Sequence, residues 1–360
     1  MIDESQLASL HTQVLALTFG LALLLGAVIQ RSHFCIMGAV SDAVLTRDWS
    51  RARLWALAAA LAMLGFGLLA QAGWVRAEQT AYGGVRLLWA SNLLGGVLFG
   101  VGMVLASGCG AKTLVRLGGG NLKSLVVLLV MGLSGFMTMR GLTAVWRDAT
   151  VDKLVLQLPA SQDLPSLLSL PPLAVAAVVA LPLLVFAMRG ANRALWLGGL
   201  GVGVLATLLW ALTSRFAFVS EHPVTLEPFF AATTNNRPES FSFVGPTAGL
   251  LDWLIYFSDS NKRLSVGVVS VLGVIAGGAA AALAAREFRW EGFRQTDDLV
   301  NHLIGALLMG IGGVMAVGCT FGQGITGLST LSLGSLLAVS GIVGGAVLGV
   351  RWQLWRAERG

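Results

Sequence analysis

The sequence predicts an all-α polytopic membrane protein: about nine transmembrane helices in an inverted repeat of four, one and four, with short re-entrant or broken helices carrying Gly-Cys motifs. Three observations predict it. Charge is scarce, apolar runs recur at bilayer-spanning length, and one glycine-cysteine pattern occurs in both halves of the chain.

Of the 360 residues, 56% are hydrophobic and 12% charged, about half the charged share of an ordinary soluble domain. Such a surface is matched to lipid. Glycine occurs 46 times, roughly twice its ordinary frequency; in membranes, small residues let helices approach closely or break where a pathway needs backbone groups. The 24 Lys and Arg leave a formal charge of +6, but they are scattered between apolar runs with no interleaved aromatics, which argues against a nucleic-acid partner. Three cysteines without CxxC spacing argue against a disulfide framework or a zinc site. Neither a metal nor a cofactor is expected. Asp3 and Glu4 stand where a signal peptide carries basic residues, so the first apolar run reads as a retained span.

Runs near the 20 residues needed to cross about 30 Å of hydrocarbon fall at 12–30, 54–72, 87–107, 122–140, 172–188, 194–213, 264–285, 299–317 and 331–350. The fifth begins at Pro172, follows Pro171 and carries Pro182, a pattern membrane helices tolerate better than soluble ones. From Leu299 to Val350 there is no Asp, Glu, Lys or Arg. That is too long for one helix, so a turn inside the membrane is required, and Cys319 lies in it. Connections after spans 1, 3, 5 and 7, with the C-terminal tail and with Lys123 at the entry to span 4, hold fifteen of the 24 Lys and Arg. The positive-inside rule then places the N-terminus in the periplasm and the C-terminus in the cytoplasm. The proline-bearing stretch 213–263 becomes a long external loop.

Gly100, Gly102, Ala106, Gly108 and Cys109 recur in register as Gly310, Gly312, Ala316, Gly318 and Cys319. A fainter echo links Ser32-His33-Phe34-Cys35 with Ser214-Arg215-Phe216-Ala217. The chain is therefore read as a single integral membrane domain over 1–360, with 12–140 the first repeat, 172–188 a connecting span and 194–350 the second repeat. Equivalent helices lie five spans apart and must run in opposite directions, an arrangement found in transporters.

The chemistry follows from the breaks. Gly108 and Gly318 let the chain turn and expose N–H groups at a new helix start, which attracts anions. Re-entry from opposite sides would bring Cys109 and Cys319 together, with Cys35 as a third thiol. A neutral thiol donates a weak S–H hydrogen bond suited to a soft sulfur substrate, although a lone membrane cysteine is ordinarily a small packing residue. Lys112 and Arg116 follow Cys109 on one helix face and could draw in an anion or simply mark topology. Arg31 and His33 beside Cys35 could form an anion funnel or an interfacial anchor. Gln323 could bond substrate oxygens, while Thr320 and Thr326 could satisfy freed backbone groups. Met103, Met309 and Met315 read as packing.

Gln30-Arg31-Ser32-His33-Phe34-Cys35 followed by Gly38, with the Gly-Cys pairs at 108–109 and 318–319, resembles the YeeE/YedE family of sulfur-compound transporters across nearly the whole chain. That resemblance implies thiosulfate uptake across a bacterial inner (cytoplasmic) membrane, with Cys35, Cys109 and Cys319 passing the ion along by S–H to sulfur hydrogen bonds. It also implies cooperation, in some members, with a small cytoplasmic TusA-like sulfur carrier. A transporter, not an enzyme, is the expectation. Two alternatives stand beside it: a membrane sulfurtransferase forming a cysteine persulfide, and a soft-metal channel using thiols and methionines.

Overall fold

The computed structural model describes residues 4–190, 193–221, 226–259 and 262–359. Most of them are helical. The long helices are α1 (Glu4–Ser32), α3 (Ser50–Gln71), α4 (Trp89–Leu105), α6 (Leu122–Arg140), α9 (Pro172–Met188), α10 (Arg193–Ala211), α12 (Val266–Ala284), α13 (Thr296–Met315) and α14 (Leu333–Arg359). Shorter ones lie between them: α2 (Ile36–Leu45), α5 (Gly110–Gly118), α7 (Leu142–Ala149), α8 (Leu164–Leu168) and α11 (Val244–Ile255). Among the described residues, eight helical stretches are long and apolar enough to cross a membrane. α9, at 17 residues and with Pro182 inside it, reaches the lower end of that length. The protein is an all-α polytopic membrane protein.

Helix packing is reciprocal between the halves. α1 packs on α12 and α10 on α3; α4 packs on α14 and α13 on α6; α4 and α13 cross each other at the centre. Glycine makes that central crossing possible. A Cβ on Gly95 would lie 2.7 Å from the Gly312 carbonyl oxygen, and one on Gly305 would lie 2.6 Å from that of Gly102. The two contacts exchange under the register of the sequence repeat, and backbone lies against backbone, as small residues allow in lipid.

α4 and α13 end in the same way. The N–H of Gly108 bonds the Met103 carbonyl at 2.9 Å and that of Gly318 bonds Gly313 at 2.8 Å. Ser107 (φ 55°) and Val317 (φ 57°) take the left-handed conformation just before them. These are Schellman-type caps in the middle of apolar runs, and each is followed at once by a new helical segment, α5 or Thr320–Ser329. The second of these contains a π-helical stretch, Gly322–Gly327.

The stretch 213–263, expected as an external loop, turns inward over its described part; residues 222–225 and 260–261 lie outside the described residues. Phe241, Phe243 and Val244 are fully buried, and α11 packs against α6, α12 and α13. Alternation of serine and phenylalanine in Ser240–Phe243 suits an extended segment held between helices. Ala217 does not start a helix as Cys35 does. The next α-helix after it is α11, whose N-cap residue is Phe243.

Candidate functional site: buried thiols between two cavities

Each cysteine sits at the start of a short helical segment. Cys35 caps α2, its Sγ accepting from the Gly38 N–H at 3.4 Å. Cys109 is the N-cap residue of α5. Cys319 precedes the second broken segment, and its Sγ accepts from the Gly322 N–H at 3.3 Å. All three are free and buried. The breaks bring them together: Cys35 Sγ and Cys109 Sγ are 4.0 Å apart, and the point where a Cβ on Gly110 would sit is 3.9 Å from the Cys319 Cβ. The Thr320 hydroxyl neighbours the Cys109 thiol without a completed hydrogen bond of its own. Three helix starts thus converge on one point, and the partial positive charge at their N-terminal ends favours a negative guest.

Four phenylalanines close around the thiols. Phe321 lies 6.1 Å from Phe34, 6.1 Å from Phe241 and 5.3 Å from Phe243 between ring centroids, each pair edge-on. Phe241 and Phe243 come from the inward-turning stretch, whose position is fixed by the bond from the Thr326 hydroxyl to the Phe241 carbonyl at 2.7 Å. Sequence reasoning does not place these rings at the site. The apolar alternation of 240–244 inside an otherwise polar connection is the signal that points to them.

Two cavities approach the cluster from opposite ends of α6 and α13. One, of about 400 Å³, is lined near the thiols by His33, Ala106, Ser107 and Lys112 and farther out by Lys123, Arg289 and Asp298. Its acids are largely engaged: Asp298 pairs with Lys123 at 2.6 Å and His302 at 3.0 Å, and Glu291 accepts from Asn121 at 2.6 Å. Lys112, half-buried, and Arg289, exposed, have no ion-pair partner among the described residues, so the cavity keeps a cationic bias. Arg116 is spent on structure, donating at 2.6 Å to the Ser107 carbonyl freed by the break. Arg31 is exposed at the end of α1 and does not line this cavity, where Gln30 and His33 do.

The other cavity, of about 910 Å³, is lined by Gly318 and Val317 at its inner end and by Arg140, Arg237 and Arg263 among its polar residues. Gln323 stands behind Gly318, buried, its amide nitrogen donating to the Ala316 carbonyl left free at the end of α13. Its Oε1 has no partner. Glu239 also lines this cavity; its Oε1 accepts from the Thr234 N–H at 2.9 Å and hydroxyl at 3.3 Å. Burial outweighs those bonds and pushes its carboxyl up to about 7. A carboxyl raised above its unfolded value binds its proton more tightly in the folded protein, so stability falls as pH rises from the ordinary carboxylate range through about 7. Thermal unfolding in detergent between about pH 5 and pH 8 should show wild type losing stability relative to Glu239→Gln as pH rises; parallel curves would contradict the assignment.

Membrane-length helices, two of them broken at buried thiols between opposed cavities, define a multi-pass membrane protein of the transporter class. A family model described as Sulphur transport matches residues 31–348, and the chain belongs to that family. It is 28% identical over 329 residues to a thiosulfate transporter, TsuA, of Spirochaeta thermophila, covering 88% of this chain and 92% of the relative. It is likewise 28% identical over 309 residues to TsuA of Escherichia coli, covering 84% of each.

Proposed function

We propose that this protein takes up thiosulfate across the bacterial inner membrane through a constriction lined by the neutral thiols of Cys35, Cys109 and Cys319. The observation that carries the reading is the placement of those thiols: Cys35 and Cys109 4.0 Å apart, Cys319 against Gly110, with a cavity at each end. A polarizable S–H can follow a soft sulfur atom from one partner to the next, whereas a fixed ammonium would hold a dianion too tightly to release it. The two relatives named thiosulfate transporters support the choice of ion.

In this reading the halves 12–140 and 194–350 are inverted repeats joined by 172–188. The N-terminus is periplasmic, so the arginine-bearing cavity of about 910 Å³ faces outward, and the cavity holding Lys112 faces the cytoplasm. Inward movement of a dianion against an inside-negative potential costs about 4.6 kcal/mol per 100 mV, twice the single-charge figure. Rapid consumption inside, by a TusA-like sulfur carrier, would offset that. Expressed in a bacterium lacking its own sulfate and thiosulfate uptake, the protein should restore growth on thiosulfate as sole sulfur source and accumulate labelled thiosulfate. Growth on sulfate but not thiosulfate, or a cysteine heavier by one sulfur without net uptake, would sink this reading.

A further inference from the structure

We propose that the cavity at the start of α14 is a second anion site, built for a small tetrahedral oxyanion of the sulfate and thiosulfate type. Eleven buried side-chain polar atoms lack a hydrogen-bond partner among the described residues. Four of them, Asn92 Oδ1, Gln323 Oε1, Ser332 Oγ and Ser335 Oγ, belong to residues lining this one cavity of about 170 Å³. These residues are between 1% and 5% exposed, so bulk water does not satisfy them. A buried polar atom without a partner is costly, and four together mark a place where something is meant to sit.

Glycine brings these oxygens together. A Cβ on Gly327 would lie 2.4 Å from Ser335 Oγ and 2.6 Å from Gln323 Oε1, so both oxygens pack close against the same glycine. A Cβ on Gly334 would crowd the Asn92 amide nitrogen at 2.7 Å. The volume is on the order of five water molecules at roughly 30 Å³ each, enough for one oxyanion and the water it brings.

The sign of the guest follows from the lining. Arg86, exposed, lines the cavity with no ion-pair partner among the described residues, and no Asp or Glu lines it. Gly334 and Ser335 lie in the first turn of a 27-residue helix, whose N-terminal end carries partial positive charge. Two serine hydroxyls, the Asn92 amide and the guanidinium supply donors. The two amide oxygens, which cannot face an anion directly, accept from its water. A metal cation would meet Arg86 and the positive end of α14, which rules against it.

The cavity shares Ala81, Tyr82 and Val317 with the large arginine-bearing one, and its Gln323 belongs to the break that carries Cys319. It reads oxyanion oxygens and does not need a thiol. Its use as a staging place before the thiols rests on the transport reading; its binding of an anion does not.

The test is calorimetric titration of sulfate and of thiosulfate into full-length protein in detergent, in wild type and in a variant with Cys35, Cys109 and Cys319 all changed to Ala. The cysteine-free variant should still bind one equivalent of either ion. Arg86→Ala and Ser335→Ala, introduced singly into it, should each weaken binding roughly tenfold, the loss expected for one hydrogen bond to a charged group. Absence of binding without the cysteines, affinity unmoved by either substitution, or uptake of sodium in place of an anion would overturn the site. Uptake retained by the cysteine-free variant with binding intact would instead count against the thiol relay alone.

Discussion

Replacing Cys109 with Ala is expected to reduce thiosulfate uptake at least tenfold while leaving expression and thermal stability close to wild type. Cys109 occupies the middle of the thiol arrangement, 4.0 Å from Cys35 on one side and, through Gly110, against Cys319 on the other. Around it stand Phe34, Phe243 and Phe321, all no more than 2% exposed. A dianion entering such a place loses water, and in protein interiors the effective penalty for an unpaired charge is several kcal/mol. Each hydrogen bond to a charged group returns about 1.5–3 kcal/mol, and each 1.36 kcal/mol on a barrier is about tenfold in rate. Losing one donor at the narrowest point therefore costs roughly ten- to a hundredfold. Cys35→Ala and Cys319→Ala remove donors at the ends of the row, so their losses should be smaller than that of Cys109→Ala. Initial uptake rates in proteoliposomes, normalised to folded protein, make the comparison. Equal activity in wild type and Cys109→Ala would assign the thiols to packing.

The spans are legible in the sequence because crossing a bilayer fixes the length of an apolar run, and nothing else in the chain competes with that constraint. The breaks are legible too. Gly108-Cys109 and Gly318-Cys319 interrupt runs that are otherwise unbroken, and the same cap closes α4 between Met103 and Gly108 and α13 between Gly313 and Gly318. What cannot be read depends on contacts far apart in sequence. Phe241 and Phe243 reach the thiols from a connection whose composition suggests a surface loop, because two buried rings in five residues leave little periodic signal. The roles of neighbours are also hidden. Arg31 and His33 differ by two positions, yet only His33 lines the cavity, since a helix end turns them to different sides. The residue type of Gln323 suggests that it faces substrate, and its nitrogen instead satisfies the Ala316 carbonyl. That bond exists because α13 stops there, a fact that follows from the cap and not from the residue type.

The central helix crossing should be the least tolerant place in the molecule. A Cβ on Gly312 would lie 2.5 Å from both the Gly95 carbonyl oxygen and the Phe99 nitrogen. These are backbone atoms inside α4, so no rotamer change can yield the space; α4 and α13 must separate along their whole contact. Overpacking of an interior ordinarily costs about 1–3 kcal/mol, and a leucine here forces apart the two helices that hold Cys109 and Cys319 at their ends. Gly312→Leu is expected to abolish folded protein in the membrane, measured as a monodisperse peak after detergent extraction. Gly312→Ala should fold with a lowered melting temperature and with uptake reduced more than its stability, because a shift at the crossing is passed directly to both breaks. Gly344, also helical and exposed on α14, has open space where a Cβ would stand, with nothing within 4 Å, so Gly344→Ala should be neutral or stabilising by up to about 1 kcal/mol through helix propensity. If both alanine variants behave alike, close approach at the crossing is not what sets the geometry of the thiols, and the helices must be held at that distance by something other than their glycines.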